Sequence, residues 1–207
     1  MRLLDLFCGA GGAAVGYHRA GFTDILGVDI KPQPHYPFAF VQGDALQYLE
    51  EHGHEFDTIH ASPPCQRYSW CTPPIHRSHH PNSIPPLQDL LKKVGKPYVI
   101  ENVAAARHLL HNPIMLCGSM FGLNIFRHRY FEISPSLFLL TPTCNHSFQP
   151  VLISGSTNRA GQPRFDYTVA QRKAAIGCSW MTNKELDQAI PPTYTHWIGQ
   201  QILKELL

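Results

Sequence analysis

The residue best placed for covalent chemistry sits in Pro63-Pro64-Cys65-Gln66, just past an apolar stretch, Asp57-Thr58-Ile59-His60-Ala61, that reads as a strand. Proline fixes φ near −65° and biases its predecessor towards extended backbone. The Cys65 thiol is therefore presented on a stiff turn at the carboxyl end of a strand, where open α/β sheets keep their ligands. A thiol so placed suits nucleophilic catalysis. The competing reading is a small buried hydrophobe, the commonest state of a free cysteine. A second candidate, Glu101, closes the apolar run Tyr98-Val99-Ile100. Burial there would raise its pKa and let it donate a proton; the plain alternative is a helix-capping acid.

A ligand site is predicted beside them. Asp5-Leu6-Phe7-Cys8-Gly9-Ala10-Gly11-Gly12 is a glycine loop after an apolar run. Glycines allow positive φ and close approach of backbone to a ligand. The spacing fails G-x-G-x-x-G, which disfavours a nicotinamide cofactor. Asp29 ends the next strand and can accept hydrogen bonds from both hydroxyls of a ribose. Asp44 closes a third strand and can face an adenine ring. One glycine loop and two acids on adjacent strand ends suit a ligand with an adenosine part and little phosphate. Taken singly, each element could be a tight turn or a helix-capping acid.

These residues need a frame, and the sequence supplies one. Strands are expected at 2–7, 25–30, 38–41, 57–61 and 98–102, with further candidates at 115–116 and 129–133. Helices are expected at 13–20, 46–52, 87–94, 170–176, 184–189 and 194–207, with 104–110 a further candidate. Alternation at this spacing implies an α/β fold with a doubly wound, mostly parallel sheet. Residues 70–86 are dense in proline, histidine and serine, lack any period, and read as one long loop. Such loops inside a compact domain are usually functional. Residues 136–170 read as irregular.

Composition bounds the rest. The chain has 207 residues, 43% hydrophobic and 15% charged, enough for one domain but not two full ones. No apolar run is long enough for a membrane span. The amino terminus lacks the apolar core of a signal peptide, so the cytoplasm is the expected compartment. Six irregularly spaced cysteines argue for reduced thiols. A net charge of +2 does not by itself announce a nucleic-acid binder. Cys144-x-His146 and the histidines at 76–80 hint at a metal, but there is no paired C-x-x-C and no evident four-ligand set, so none is expected.

Taken in order, Asp5 to Gly12, Pro63-Pro64-Cys65-Gln66 and Glu101-Asn102-Val103 resemble the cytosine-5 DNA methyltransferase family. Arg127-His128-Arg129 resembles its later Arg-x-Arg strand, and Ala189-Ile190-Pro191-Pro192 its closing motif. The resemblance covers about residues 1–135 and, more weakly, 170–207. It implies a class I S-adenosylmethionine-dependent methyltransferase (Rossmann-like) fold with seven strands. It implies S-adenosylmethionine at Phe7, Cys8, Gly9, Ala10, Gly11, Gly12, Asp29, Ile30, Asp44, Ala45 and Pro64, leaving as S-adenosylhomocysteine. Cys65 would add to carbon 6 of cytosine and make carbon 5 nucleophilic, while Glu101 serves ring nitrogen 3. From the resemblance alone, Arg129 holds the cytosine carbonyl oxygen and Arg127 supports the Cys65 loop.

The partner so implied is DNA with the target cytosine flipped out of the stack. The 70–86 loop, with His76, Arg77, His79 and His80, would close over that base and touch phosphates. The whole chain, 1–207, is expected to be one catalytic domain, with 136–170 as a minimal target-recognition insert. About 35 residues cannot build a large independent core, so specificity is expected to be short or loose, or to need a homodimer. This compact form resembles phage-encoded relatives, and restriction-modification, self-protection and host-evasion roles look alike from the sequence. The closing motif departs from the family's Gly-Asn-Ala-Val-Pro, reading Asp187-Gln188-Ala189-Ile190-Pro191, which puts its cofactor contacts in doubt. Two alternatives remain: the same chemistry on RNA or a free cytosine nucleotide, and a non-catalytic relative that binds S-adenosylmethionine or DNA.

Overall fold

The structure, a computed structural model, describes residues 1–70, 72–137, 139–153 and 167–206. Part of the expected insert, residues 138 and 154–166, therefore lies outside the described residues, as does Cys71 of the long loop. Seven strands form one sheet: β1 (Arg2–Leu6), β2 (Asp24–Asp29), β3 (Ala39–Gln42), β4 (Thr58–Ala61), β5 (Tyr98–Asn102), β6 (Ile114–Leu116) and β7 (Arg129–Ser134). Their order is β3-β2-β1-β4-β5-β7-β6, with β1 to β5 parallel and β7 antiparallel to both its neighbours. This is the expected class I methyltransferase architecture. Leu3, Leu4 and Leu6 of β1 are all buried because both faces of a parallel sheet are covered, which is why its strands read as apolar runs rather than alternations.

The helices are α1 (Gly12–Ala20), α2 (Ala45–His52), α3 (Pro74–Arg77), α4 (Ile84–Val94), α5 (Val169–Ile176), α6 (Asn183–Leu186) and α7 (Pro192–Leu206). One core, with Tyr17, Phe22, Tyr194 and Ile198, packs α1 and α7 on one face of the sheet. The other, with Leu49, Phe56, Leu87 and Leu91, packs α2 and α4 on the opposite face. Helices α1 and α7 approach so closely that Gly16 leaves no room for a Cβ against Thr195 and Pro192, and the Thr195 hydroxyl donates to Ala13 O at 2.8 Å. A third, smaller cluster joins Ile125, Ile153, Ile176 and Met181 outside the sheet.

Three sequence expectations need correction. The 70–86 stretch is not one structureless loop: it holds α3, and α4 begins at Ile84 rather than Leu87. A four-residue helix has no period to detect, and Pro85-Pro86 fall in the first turn of α4, where proline's missing N–H costs nothing. Phe7 is not in the first strand; it turns into the left-handed region at φ 57°. Asp44 lies two residues beyond the end of β3 rather than closing it. It is the N-cap of α2, accepting from the backbone N–H of Leu46 and Gln47 at 2.8 and 3.0 Å.

Candidate active site

Strand register puts the chemistry in one row. Leu6 pairs with Val28 and with Ala61, and Ala61 pairs with Ile100. One step on, Phe7, Asp29, Ser62 and Glu101 stand level across the carboxyl edge of the sheet. β7 runs back along β5 with Asn102 opposite Tyr130 and Glu101 opposite Phe131, so Arg129 arrives at the same edge, diagonal to Glu101.

Two cavities open along this row. The first, about 190 Å³, is lined by the glycine loop, Asp5, Asp29, Gln33, the Ser62 to Gln66 turn and the Met181–Ile190 stretch. The second, about 570 Å³, is lined by Ser69, Trp70, Val103 to Ala105, Ile125 to Arg129 and Pro150 to Ile153. Cys65, Gln66, Val103, Arg129 and Asp187 line both. The thiol thus stands where two compartments meet.

The Cys65 turn is tied from several sides. Asn102 is buried, and its side-chain amide donates to Pro63 O at 2.9 Å, while its oxygen accepts from Val103 N at 2.9 Å. The Glu101-Asn102 pair therefore serves two tasks: one residue enters the site and the next clamps the proline turn. Beyond the thiol, Tyr68 N and Ser69 N both donate to Cys65 O, at 2.9 and 2.8 Å. Arg67 donates to His80 O at 2.9 Å, and the Tyr68 hydroxyl bonds Asn82.

Burial sets the electrostatics. Glu101 is only 6% exposed, and desolvation raises its pKa against the opposing pull of Arg129, Arg127 and the Ser62 hydroxyl. Arg129 Nε lies 2.9 Å from Glu101 Oε1, yet no aligned donor reaches that oxygen, leaving a buried acceptor without a hydrogen bond. Burial first, then the charge of Glu101, pushes the Cys65 thiol up, while Arg129 and Arg127 pull it down. Protonating Glu101 removes the second of these upward pushes, so a neutral acid at 101 favours a thiolate at 65. Arg127 is buried and its pKa falls to about 9, by desolvation and then by repulsion from Arg129. Its Nη2 donates to Asp187 O at 2.6 Å, so the hydrogen bond seen here ties β7 to the chain before Pro191.

A relay that the sequence did not reveal stands behind Glu101. Tyr17 OH lies 3.1 Å from His60 Nδ1 and His60 Nε2 lies 2.9 Å from Ser62 Oγ, whose hydroxyl pulls the Glu101 pKa down. Desolvation holds fully buried His60 down at about 3, so it is neutral at physiological pH.

Of the expected cofactor residues, Phe7, Cys8, Gly9, Ala10, Gly12, Asp29 and Pro64 line the first cavity. Gly9 N donates to Asp29 Oδ2 at 3.0 Å and Lys31 N to Oδ1 at 3.0 Å, fixing the carboxylate at the rim. Gly9 has φ +50° and nothing within 4 Å of where a Cβ would stand, so its backbone faces open space. Gly11, Ile30, Asp44 and Ala45 are not among the lining residues. Gly11, at φ +82°, is needed because Tyr36 and Pro37 press on it. Ile30 lies 64% exposed next to Asp29.

Residues 1–74 match the family model for C-5 cytosine-specific DNA methylases. Over that amino-terminal third the chain is similar to the cytosine-5 DNA methyltransferase family. No curated protein matches it. Among solved structures it is similar to a candidate DNA modification methyltransferase encoded within an Escherichia coli prophage, at 24% identity and a TM-score of 0.50. That match covers 74% of this chain and 53% of the prophage protein, so the chain spans about half that relative's length. A methyltransferase of Entamoeba histolytica is similar at 14% identity and a TM-score of 0.64, over 100% of this chain and 99% of that one. These likenesses carry the fold.

The departing closing segment still reaches the site: Asp187, Gln188, Ala189 and Ile190 line the first cavity, and Ile190 packs against Gly12. Four further features were not legible in the sequence. Asp5 is fully buried in the cavity floor, pushed well up by desolvation, and its Oδ1 has no partner. Gln66 Oε1 is a buried acceptor without a partner at the junction of the cavities. Trp70 is 78% exposed and lines the second cavity. Finally, Cys117, His128, Cys144 and His146 converge, although their spacing left no four-ligand set legible.

Proposed function

We propose that the chain transfers a methyl group from S-adenosylmethionine to carbon 5 of cytosine in DNA, by way of a covalent bond to Cys65. The observation that carries this reading is the meeting of two cavities at that thiol, beside the buried Glu101–Arg129 pair. Carbon 5 of cytosine is a poor nucleophile until a group adds at carbon 6. The Cys65 thiolate forms the sulfur–carbon 6 bond, and the displaced ring electrons move towards nitrogen 3. Protonated Glu101 donates there, and Arg129 offers its guanidinium to the carbonyl oxygen. Once carbon 5 carries the methyl group that bound S-adenosylmethionine would supply, its proton passes to solvent, the nitrogen 3 proton returns to Glu101, and Cys65 leaves as thiolate, restoring the aromatic ring.

The first cavity fits the cofactor's polar ends. Asp29 suits a ribose, the open backbone at Gly9 suits close approach, and the orphaned Asp5 Oδ1 suits an amino group. Ile30 would flank the adenine from the rim, while Asp44 caps α2 through Oδ1. When bound, S-adenosylmethionine supplies an electrophilic methyl group and leaves as S-adenosylhomocysteine.

The second cavity is the place for a flipped cytosine. Trp70 and Ile75 stand exposed on the 70–86 segment, with His76 and His79 beside them, a mixture suited to stacking and phosphate contact. Arg77 spends Nε on Thr72 O at 3.0 Å and so shapes that segment. In this reading, 1–207 works as one catalytic unit and 136–170 as a reduced recognition insert, with a homodimer as the way to add recognition surface. Among the described residues no helix is long and apolar enough to cross a membrane. The protein would work beside DNA in the cytoplasm of a bacterial or phage-infected cell.

The test is transfer of labelled methyl to duplex DNA, with transfer RNA and dCMP in parallel reactions. DNA should be labelled at cytosine carbon 5, and Cys65→Ala should abolish labelling while circular dichroism stays that of the wild type. Undiminished labelling in Cys65→Ala, or labelling confined to RNA or dCMP, contradicts the proposal.

A further inference from the structure

We infer that Cys117, His128, Cys144 and His146 form a structural zinc site, separate from the catalytic thiol and independent of the methyl-transfer reading. Their four donor atoms all lie within 4.8 Å of one another. Cys117 Sγ stands 3.5 Å from His146 Nε2, Cys144 Sγ 3.5 Å from His128 Nε2, and Cys144 Sγ 2.9 Å from His146 Nε2. Tetrahedral zinc, with bonds near 2.3 Å to sulfur and 2.0–2.1 Å to nitrogen, sets donor pairs about 3.3–3.8 Å apart. Small side-chain adjustments bring this set to that spacing. Two thiols and two imidazoles without a carboxylate are a zinc donor set and a poor one for calcium or magnesium. Binding would release the two thiol protons, leaving a neutral centre of one dication and two thiolates.

The surroundings favour a metal over a chance cluster. Ser119 Oγ lies 3.4 Å from Cys117 Sγ and 3.5 Å from Cys144 Sγ, and itself accepts from Asn145 N at 3.1 Å. A hydroxyl beside two sulfurs is the kind of outer partner that steadies thiolate ligands. Phe126 stacks on the His146 ring at 4.0 Å and fixes its plane.

The segment also needs something to hold it. Residues 141–149 have no helix or strand, and Cys144 is the one residue among them that is not exposed. Ordering a backbone costs roughly 1–2 kcal/mol per residue, and this stretch buries no core to offset it. Cys117 follows β6 and His128 precedes β7, so a metal would pin the exposed segment to the β6–β7 hairpin. His128 stands between Arg127 and Arg129, and the pinned chain runs on to Pro150–Ile153 in the wall of the second cavity. The zinc would thus hold the recognition side of the molecule against the strand that brings Arg129 to the thiol.

The test measures metal in the full chain, purified under reducing conditions without chelator. Plasma mass spectrometry should find one zinc per chain in the wild type and in Cys65→Ala, and background in the Cys144→Ser, His146→Ala double variant. Stripped wild-type protein titrated with cobalt should show tetrahedral visible bands and thiolate-to-cobalt charge transfer, saturating at one equivalent. This second reading does not depend on the double variant folding. Wild type that neither carries zinc nor binds cobalt at one equivalent overturns the inference. So does zinc retained by the double variant, or a Cys117–Cys144 disulfide found by mass in the protein as purified under reducing conditions.

Discussion

The two sides of Cys65 are built differently. On the first-cavity side, side chains are placed by strand register: Phe7, Asp29, Ser62 and Glu101 stand level because their strands pair. On the second-cavity side, the walls come from the Arg129 end of β7, a segment around Trp70, and irregular chain at 150–153. There, position rests on side-chain ties such as Arg67 to His80 O and on the Cys117–His146 cluster. A ladder fixes every residue in it, whereas a cluster fixes only the points it touches. In the proposed reaction the chemistry would therefore sit on the side held by strand pairing, and the surface that would choose a base on the side built from loops.

Substitutions can break that comparison at its joint. Glu101→Gln keeps the volume and removes the acid. It should lower kcat for methyl transfer by roughly 10²–10⁴-fold, with cofactor affinity little changed in a calorimetric titration. A large loss of cofactor binding instead would mean that Glu101 belongs to the first cavity alone. Trp70→Ala probes the loop-built side. Loss of base stacking should weaken DNA affinity by about 1–3 kcal/mol in a fluorescence titration, again with cofactor binding intact.

The strand-paired side carries a pH signature. His60 is held near 3 in the fold against an ordinary value near 6.5, so the unfolded chain binds the extra proton between those values. Its contribution to stability is complete above pH 6.5 and is lost as pH falls towards 3. At pH 5 the loss should be about 2 kcal/mol relative to pH 7, read as a steeper decline in urea unfolding for wild type than for His60→Gln. Equal slopes would mean that His60 is not held neutral by burial. The smallest expected effect is Asp44→Ala, which removes an exposed helix cap and should cost about 1 kcal/mol of stability without moving cofactor affinity. A clear drop in that affinity would return Asp44 to the ligand site.

Legibility in the sequence followed the same divide. Buried parallel strands announce themselves as apolar runs, so β1, β2, β4 and β5 could be read, and with them the places of the candidate residues Asp29, Cys65 and Glu101 at the sheet edge. Asp44 kept two readings in the sequence, an acid facing a ligand and a helix-capping acid, because both share one local pattern; the structure shows the cap. The Tyr17–His60–Ser62 relay was hidden because its members come from a helix and a strand that meet only in the tertiary fold. The Cys117–His146 cluster was hidden for the same reason: the antiparallel turn of β6 and β7, rather than sequence spacing, brings Cys117 to His128. Short α3 was missed because four residues give no period.

The claim on which the rest stands is that Cys65 bonds covalently to the target base at the junction of the two cavities. Duplex DNA carrying 5-fluorocytosine blocks the final loss of the carbon 5 substituent, so a working nucleophile stays trapped. With S-adenosylmethionine present, the wild type should give a denaturant-stable protein–DNA adduct, mapped by peptide mass to Cys65 and absent in Cys65→Ala. An adduct on another residue, or methyl transfer that proceeds with no adduct at all, would contradict the account.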